Sequence, residues 1–321
     1  MATNTDAGNM STPLVLGTMY FGTRLDDRDA FALLDRFVEL GGVWLDTSDN
    51  YSFWEDPSGL GGQSEALLGR WLKANPGALV KLSTKVGAQP NRPGGFPDNV
   101  EGLSERAIRG GFAGSLERLG VDHVDLLWAH VEDRSVALDE TVGAFGALVG
   151  DGTIGSYGVS NHPSFVVEEI CWRAANAHLP APTAYQQRYS YLQPLPGAEV
   201  GGQPLPLGML SSDGLELLRR RPAVEGWVYT ALLLGAYDRP DRTLGPEYDH
   251  PGNARRLAAL DEVATARGLT RGQVVLAWLT GGSPQLVPIL GGSTVGQLDV
   301  AWEGATSELT QTERTMLDAV A

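Results

Sequence analysis

Val43-Trp-Leu-Asp-Thr-Ser-Asp-Asn-Tyr51 reads as a short apolar run that ends on a carboxylate and opens into a polar loop. The same pattern returns at Lys81-Leu-Ser-Thr-Lys85 and at Asp125-Leu-Leu-Trp-Ala-His130, where an ionisable residue again closes a strand-like stretch. Between and beyond these runs lie longer amphipathic segments, so strand and helix patterns alternate along the whole chain.

The predicted strands cover 14–18, 43–46, 79–84, 124–129, 154–159, 183–186, 226–231 and 286–290. Helices are predicted over 29–40, 64–74, 104–119, 138–149, 164–177, 214–220 and 254–279. Eight β/α units with no linker-like break imply an α/β fold of the closed (β/α)8 TIM-barrel type. An open dinucleotide-binding sheet would need a Gly-x-Gly-x-x-Gly turn after an early strand, and Gly17-Thr-Met-Tyr-Phe-Gly22 lacks that spacing. Residues 11–321 read as one barrel, and 1–10 as a small, polar, flexible or disordered start. Three loops, 50–63, 193–210 and 235–252, exceed what the barrel needs and are expected over its C-terminal mouth.

Bulk composition narrows the partners. A hydrophobic share of 42% supplies a full core, and a net charge of −15 repels nucleic-acid backbones and anionic lipid surfaces. No apolar run approaches the roughly 20 residues that span a bilayer, and the first residues lack the basic and apolar regions of a signal peptide. A cytoplasmic protein, monomeric by default, with a small-molecule substrate is expected. The single cysteine, Cys171, excludes an intrachain disulfide and reads as packing within a helix.

Asp46, Tyr51, Lys85 and His130 fall at or just past the ends of consecutive strands, where barrels build their sites. Their chemistry is complementary. A phenol titrates near about 10, and a neighbouring ammonium is expected to lower that value. An aspartate can hold the lysine charged, and a histidine can orient a carbonyl oxygen. Together they suit acid–base work on a carbonyl/alcohol pair, with the hydride drawn from a cofactor because no side chain supplies one.

Several motifs then match a family in order along the chain. Asp46-Thr-Ser-Asp-Asn-Tyr51 followed by Gly62-Gln-Ser-Glu-Ala-Leu-Leu-Gly69 resembles the Asp-Thr-Ala-x-x-Tyr-Gly and Ser-Glu-x-x-Leu-Gly signature of the aldo-keto reductases. Leu16-Gly-Thr-Met19, Gly158-Val-Ser-Asn161, Tyr185-Gln-Gln187, Val228-Tyr-Thr-Ala-Leu232 and Leu290-Gly-Gly-Ser293 are similar to further family segments. The resemblance implies a carbonyl-reducing enzyme with Asp46, Tyr51, Lys85 and His130 as its catalytic tetrad and Tyr51 as proton donor. It implies that Ser160, Asn161 and Gln186 hold the nicotinamide carboxamide and that Tyr229 stacks on the ring. Thr230 and Leu232 would line the pyrophosphate path, and Gly17, Thr18 and Met19 the ribose side. Gly291, Ser293 and Gln297 would meet the adenosine end.

NADPH is the cofactor the resemblance implies, yet no Lys or Arg lies between 285 and 301 to meet its extra phosphate. Either NADH is accepted, or Arg239 or Arg242 of the long loop supplies the contact. Val131-Glu-Asp133 replaces the family's frequent Trp-Pro, and Arg188 stands where Glu is common. Tyr20, Phe53, Trp54 and Trp128 are the expected substrate wall, with Tyr189 as a further member. Such a wall suits a hydroxylated or ring-shaped carbonyl compound, a sugar or a natural-product intermediate. Two other readings are a barrel that retains its cofactor for net isomerisation or dehydration, and a non-catalytic redox-sensing subunit. A metal-dependent hydrolase fails on ligands, because His123, His130, His162, His178 and His250 form no His-x-His cluster, so no metal is expected.

Overall fold

Strands β1 (Val15–Gly17), β2 (Trp44–Asp46), β3 (Lys81–Val86) and β4 (Val124–Ala129) lie side by side in parallel. They continue through β5 (Ile154–Ser160), β6 (Ala184–Arg188), β7 (Glu225–Tyr229) and β8 (Leu286–Leu290), and β8 pairs back onto β1. This closed barrel is seen in a computed structural model that describes residues 13–200 and 208–320. Around it run α1 (Asp27–Glu39), α2 (Gln63–Ala74), α3 (Glu105–Leu119), α4 (Leu138–Gly150) and α5 (Ser164–Asn176). They are followed by α6 (Ser212–Arg220), α7 (Pro251–Arg267), α8 (Arg271–Thr280), α9 (Val295–Thr306) and α10 (Gln311–Asp318). Asp26 and Ser104 cap α1 and α3 by accepting the backbone N–H three residues on, which turns the chain sharply from loop to helix.

Several expectations about element bounds need correcting. The single helix predicted over 254–279 is broken: Gly268 takes a left-handed φ of +64° that ends α7, and Thr270 with Gln273 forms a capping box that starts α8. The helices α9 and α10, each capped by a threonine, were not predicted. The seventh strand stops at Tyr229 because Thr230 turns left-handed at φ +56°, and the third begins at Lys81, leaving Leu79 exposed. The expected flexible start at 1–10 lies outside the described residues, as do 201–207 of the second long loop.

Side chains alternate across a strand, and that period decides what fills the barrel. Val15, Leu126, Trp128, Ala184, Trp227 and Ile289 form an inner cluster, with Trp44, Val287 and Tyr229 packed against it. Trp227 meets Trp44 and Trp128 edge-on, each at 5.3 Å between ring centroids. The indole of Trp128 also explains Gly158, where a Cβ would fall 2.5 Å from that ring. Trp128 is therefore not a substrate wall. It shares the inward direction of His130, but two residues earlier it sits one layer deeper and is fully buried. Cys171 is buried on α5 as expected. Among the described residues, no helix is long and apolar enough to cross a membrane.

Candidate active site

Every inward-facing strand position directly above the tryptophan layer is polar or small. Asp46 follows Trp44 by two residues, Lys85 follows Ser83, His130 follows Trp128, and Tyr229 follows Trp227. Ser160, Gln186 and Gly17 hold the same position at the ends of β5, β6 and β1.

Lys85 is the hub. Its Nζ donates to Asp46 Oδ2 at 2.5 Å, to Tyr51 Oη at 2.6 Å and to the Thr47 carbonyl at 2.7 Å. Asp46 and Lys85 are fully buried, and Ser83 Oγ, paired with Asp46 in the β2–β3 register, donates to Asp46 Oδ1 at 2.6 Å. Both carboxylate oxygens are thus occupied, which orients the ion pair as well as stabilising it. Tyr51 and His130 are half-buried and meet edge-on at 6.1 Å.

Burial pushes the Lys85 pKa down, against the opposing pull of Asp46. Burial also pushes the Tyr51 phenol well above its ordinary value, and the Asp46 charge adds to this. The lowering expected from Lys85 is not found, because a phenolate here would be taken out of water and set beside the Asp46 carboxylate. Burial, and then the Lys85 charge, hold His130 well below the usual imidazole range. At neutral pH the phenol is therefore protonated and the imidazole neutral.

The Gly62-Gln-Ser-Glu65 segment pins the strand ends together. Ser64 Oγ lies 2.8 Å from Thr18 Oγ1 and 2.9 Å from Thr47 Oγ1, and donates to the Thr18 carbonyl at 2.7 Å. Glu65 accepts from Thr84 Oγ1 and from Arg118 Nε. Thr18, expected beside a ribose, is fully buried with its hydroxyl in this network, whereas Met19 and Tyr20 remain half-buried.

Beside the tetrad, Asn161 takes a left-handed φ of +58° and turns its side chain inward. Its Nδ2 donates to the His130 carbonyl at 2.9 Å and to Ser160 Oγ at 3.1 Å, while its Oδ1 accepts from Tyr229 Oη at 2.7 Å. Ser160 and Asn161 therefore do not cap α5, whose N-cap position is Pro163. Gln186 is buried, and its Nε2 has no hydrogen-bond partner among the described residues. An unsatisfied buried amide donor beside Ser160 and Asn161 fits a carboxamide, which offers the missing acceptor.

The far end differs. Leu232 is half-buried, but Gly291, Ser293 and Gln297 are exposed. Ser293 N–H donates to Gln297 Oε1 at 2.9 Å, and Thr294, not Ser293, caps α9. Arg239 is paired with Asp241 at 2.6 Å, and Arg242 lies 3.9 Å from the same carboxylate. Arg36 of α1 is held by Asp299 of α9 and by Glu39.

Tyr20 and Phe53, expected in the substrate wall, are half-buried, and Trp54 is 47% exposed. Phe53 packs on Trp54 at 4.9 Å and on Phe96 at 5.1 Å. Phe96 was missed because it lies in a loop with no strand-end signal. Ser48, whose Oγ is 3.1 Å from His130 Nδ1, was also missed, and so was Ser83. Two-residue spacing from Lys85 could have found Ser83. Tyr189 is buried against Trp278, away from this wall, and Arg188 is buried beside Tyr248.

Known proteins place the chain. The profile of the Aldo/keto reductase family matches residues 13–321. Norsolorinic acid reductase stcV of Emericella nidulans is 32% identical over 328 residues, spanning 96% of this chain and 77% of that protein. Aryl-alcohol dehydrogenase GME11368 of Pestalotiopsis microspora is 27% identical, spanning 93% and 76%. The oxidoreductase YrpG of Bacillus subtilis, itself uncharacterized, is 29% identical over 89% of this chain and 84% of its own. With a whole-length family match and these relatives, the chain belongs to the aldo/keto reductase family and is an NAD(P)H-dependent oxidoreductase.

Proposed function

We propose that this enzyme reduces the carbonyl of an aromatic or polycyclic ketone or aldehyde to the alcohol, with Tyr51 as general acid. The observation that carries the reading is the Lys85 ammonium, which joins Asp46 Oδ2 at 2.5 Å to Tyr51 Oη at 2.6 Å. A nicotinamide cofactor supplies the hydride when bound. Tyr51, protonated at neutral pH, gives its proton to the carbonyl oxygen as negative charge develops there. Lys85 then stabilises the phenolate left behind, and Asp46 and Ser83 keep the ammonium aimed. Ser160, Asn161 and Gln186 fix the carboxamide, and Tyr229, tied to Asn161, offers its ring as a platform.

The substrate class is supported by the aromatic cluster of Phe53, Trp54 and Phe96 with Tyr20, half-buried except for the exposed Trp54, and by relatives named for norsolorinic acid and aryl alcohols. NADPH and NADH both serve in this reading. NADPH is favoured by less than about tenfold, because Arg239 and Arg242 of the rim both already lie within 4 Å of Asp241. The test is a panel of aromatic and aliphatic carbonyls followed by loss of reduced nicotinamide. Tyr51→Phe is expected to lower kcat by about a thousandfold. Parental rates in that variant, or turnover confined to small aliphatic aldehydes, would overturn the proposal.

A further inference from the structure

Asn161 knots the cofactor side of the mouth, because its amide ties the ends of β4, β5 and β7 together through the His130 carbonyl, Ser160 Oγ and Tyr229 Oη. It does so from a left-handed φ of +58°, which asparagine tolerates without preferring, so the turn has to be held by its surroundings. On one side, the Asn161 N–H donates to the Gln186 carbonyl at 3.2 Å, and the Ser160 carbonyl accepts from His162 Nδ1 at 2.7 Å. On the other side, Pro163 confines His162 to extended backbone. What remains to be fixed is the His162 carbonyl.

That carbonyl accepts twice, from Tyr185 Oη at 2.8 Å and from Gln187 Nε2 at 2.6 Å, and Gln187 Nε2 also donates to Tyr185 Oη at 2.6 Å. The phenol gives its one hydrogen to His162, and the amide gives one to His162 and one to the phenol oxygen, so every donor is used. Burial pushes the Tyr185 phenol up to about 12, so it keeps that hydrogen. Reversing the Gln187 amide would set its oxygen against the His162 carbonyl, which fixes the orientation. Gln187 Oε1 is then left with no hydrogen-bond partner among the described residues, although the side chain is buried. Tyr185 and Gln187 face outward from β6, where their register partners Val159 and Val228 belong to the apolar core. A hydroxyl and an amide buried in that layer, with one amide oxygen unsatisfied, find their use in the His162 carbonyl.

We infer that Tyr185 and Gln187 are positioning residues that grip the His162 carbonyl from behind the barrel wall, hold Asn161 in its left-handed turn and so orient the nicotinamide seat of Ser160, Asn161 and Tyr229. Neither side chain lies on the inward face of β6, so they act through the turn and not on the ring. This role depends on the proposed carboxamide seat and is independent of which carbonyl is reduced.

Isothermal titration calorimetry without turnover compares NADPH with phospho-ADP-ribose, which lacks the nicotinamide ring, and NADH with ADP-ribose as a second pair. Gln187→Leu is expected to weaken the reduced dinucleotide about tenfold and its ring-less counterpart by about twofold or less. Tyr185→Phe, which removes one oxygen, should show the same split at about threefold, and it decides the matter where Gln187→Leu does not fold. Equal losses for both ligands would make the two side chains structural supports only, and unchanged binding would deny them any part; either result overturns the inference. A parent that binds the dinucleotide no tighter than the ring-less ligand would sink the carboxamide seat itself, and this role with it. A parent that gains from the ring, beside variants that keep the whole gain, would sink the positioning role alone.

Discussion

Above β2, β3 and β4, Lys85 joins Asp46 at 2.5 Å and Tyr51 at 2.6 Å, Ser48 meets His130 at 3.1 Å, and Asp46, Lys85 and Ser48 are shielded from solvent. Above β7 and β8, by contrast, Arg239, Asp241, Ser293 and Gln297 are exposed and satisfy one another. One end of the mouth is organised before any ligand arrives, and the other would have to break surface pairs to grip one. Electrostatics in the buried half act at low dielectric and are strong, whereas those in the exposed half are screened. The proton-handling groups are therefore expected to be sensitive to single substitutions, and the tail-binding rim tolerant of them.

The sharpest way to break this contrast is Lys85→Met. It is expected to lower kcat by about a hundredfold to ten-thousandfold while cofactor affinity changes by no more than about threefold. Stopped-flow turnover and fluorescence titration with reduced nicotinamide separate the two, and an equal loss in both would erase the contrast.

A second test concerns Asp49, which is buried two residues before Tyr51. Burial raises its pKa well above the carboxylate range, and the charges of Glu101 and Glu65 add to this against Arg118. A folded-state pKa above the unfolded one contributes stability at low pH that is lost as pH rises. The window runs from about 4, the unfolded value, up to the raised one. Asp49→Asn should therefore gain about 1–2 kcal/mol at about pH 8, with the gain shrinking toward about pH 4. Urea melts at both pH values check this, and a gain that grows on acidification would contradict it.

The smallest effect is expected at the exposed rim. Asp241→Ala frees Arg239 and should raise affinity for NADPH over NADH by about fivefold or less, as suits a surface pair. Titrations with the two cofactors measure it. A change of about a hundredfold would mean that this rim, too, is a built site.

Much of the buried half was legible beforehand, for a local reason. Strand alternation sends Asp46, Lys85 and His130 the same way as Trp44, Ser83 and Trp128, and closure brings the ends of β2, β3 and β4 together. Asn161 and Gln186 were readable from motif order. Trp128 was misread because alternation gives the direction of a side chain but not its depth. The helix over 254–279 was misread because apolar periodicity runs through the Gly268 turn without registering its left-handed φ.

The sequence by itself determined the eight-unit barrel, its family and the polar residues at the strand ends. The barrel and the strand-end residues follow from periodicity and spacing, which are properties of neighbours in the chain, and the family follows from the resemblance of its motifs. Tertiary structure alone decided that Ser48 meets His130 across 82 residues and that Ser83 meets Asp46 across 37. Tertiary structure also decided which way the Tyr51 phenol shifts, because that depends on how much water the closed barrel removes from it. Hydrogen-bond partners and desolvation belong to the packed mouth, and no stretch of chain carries them alone.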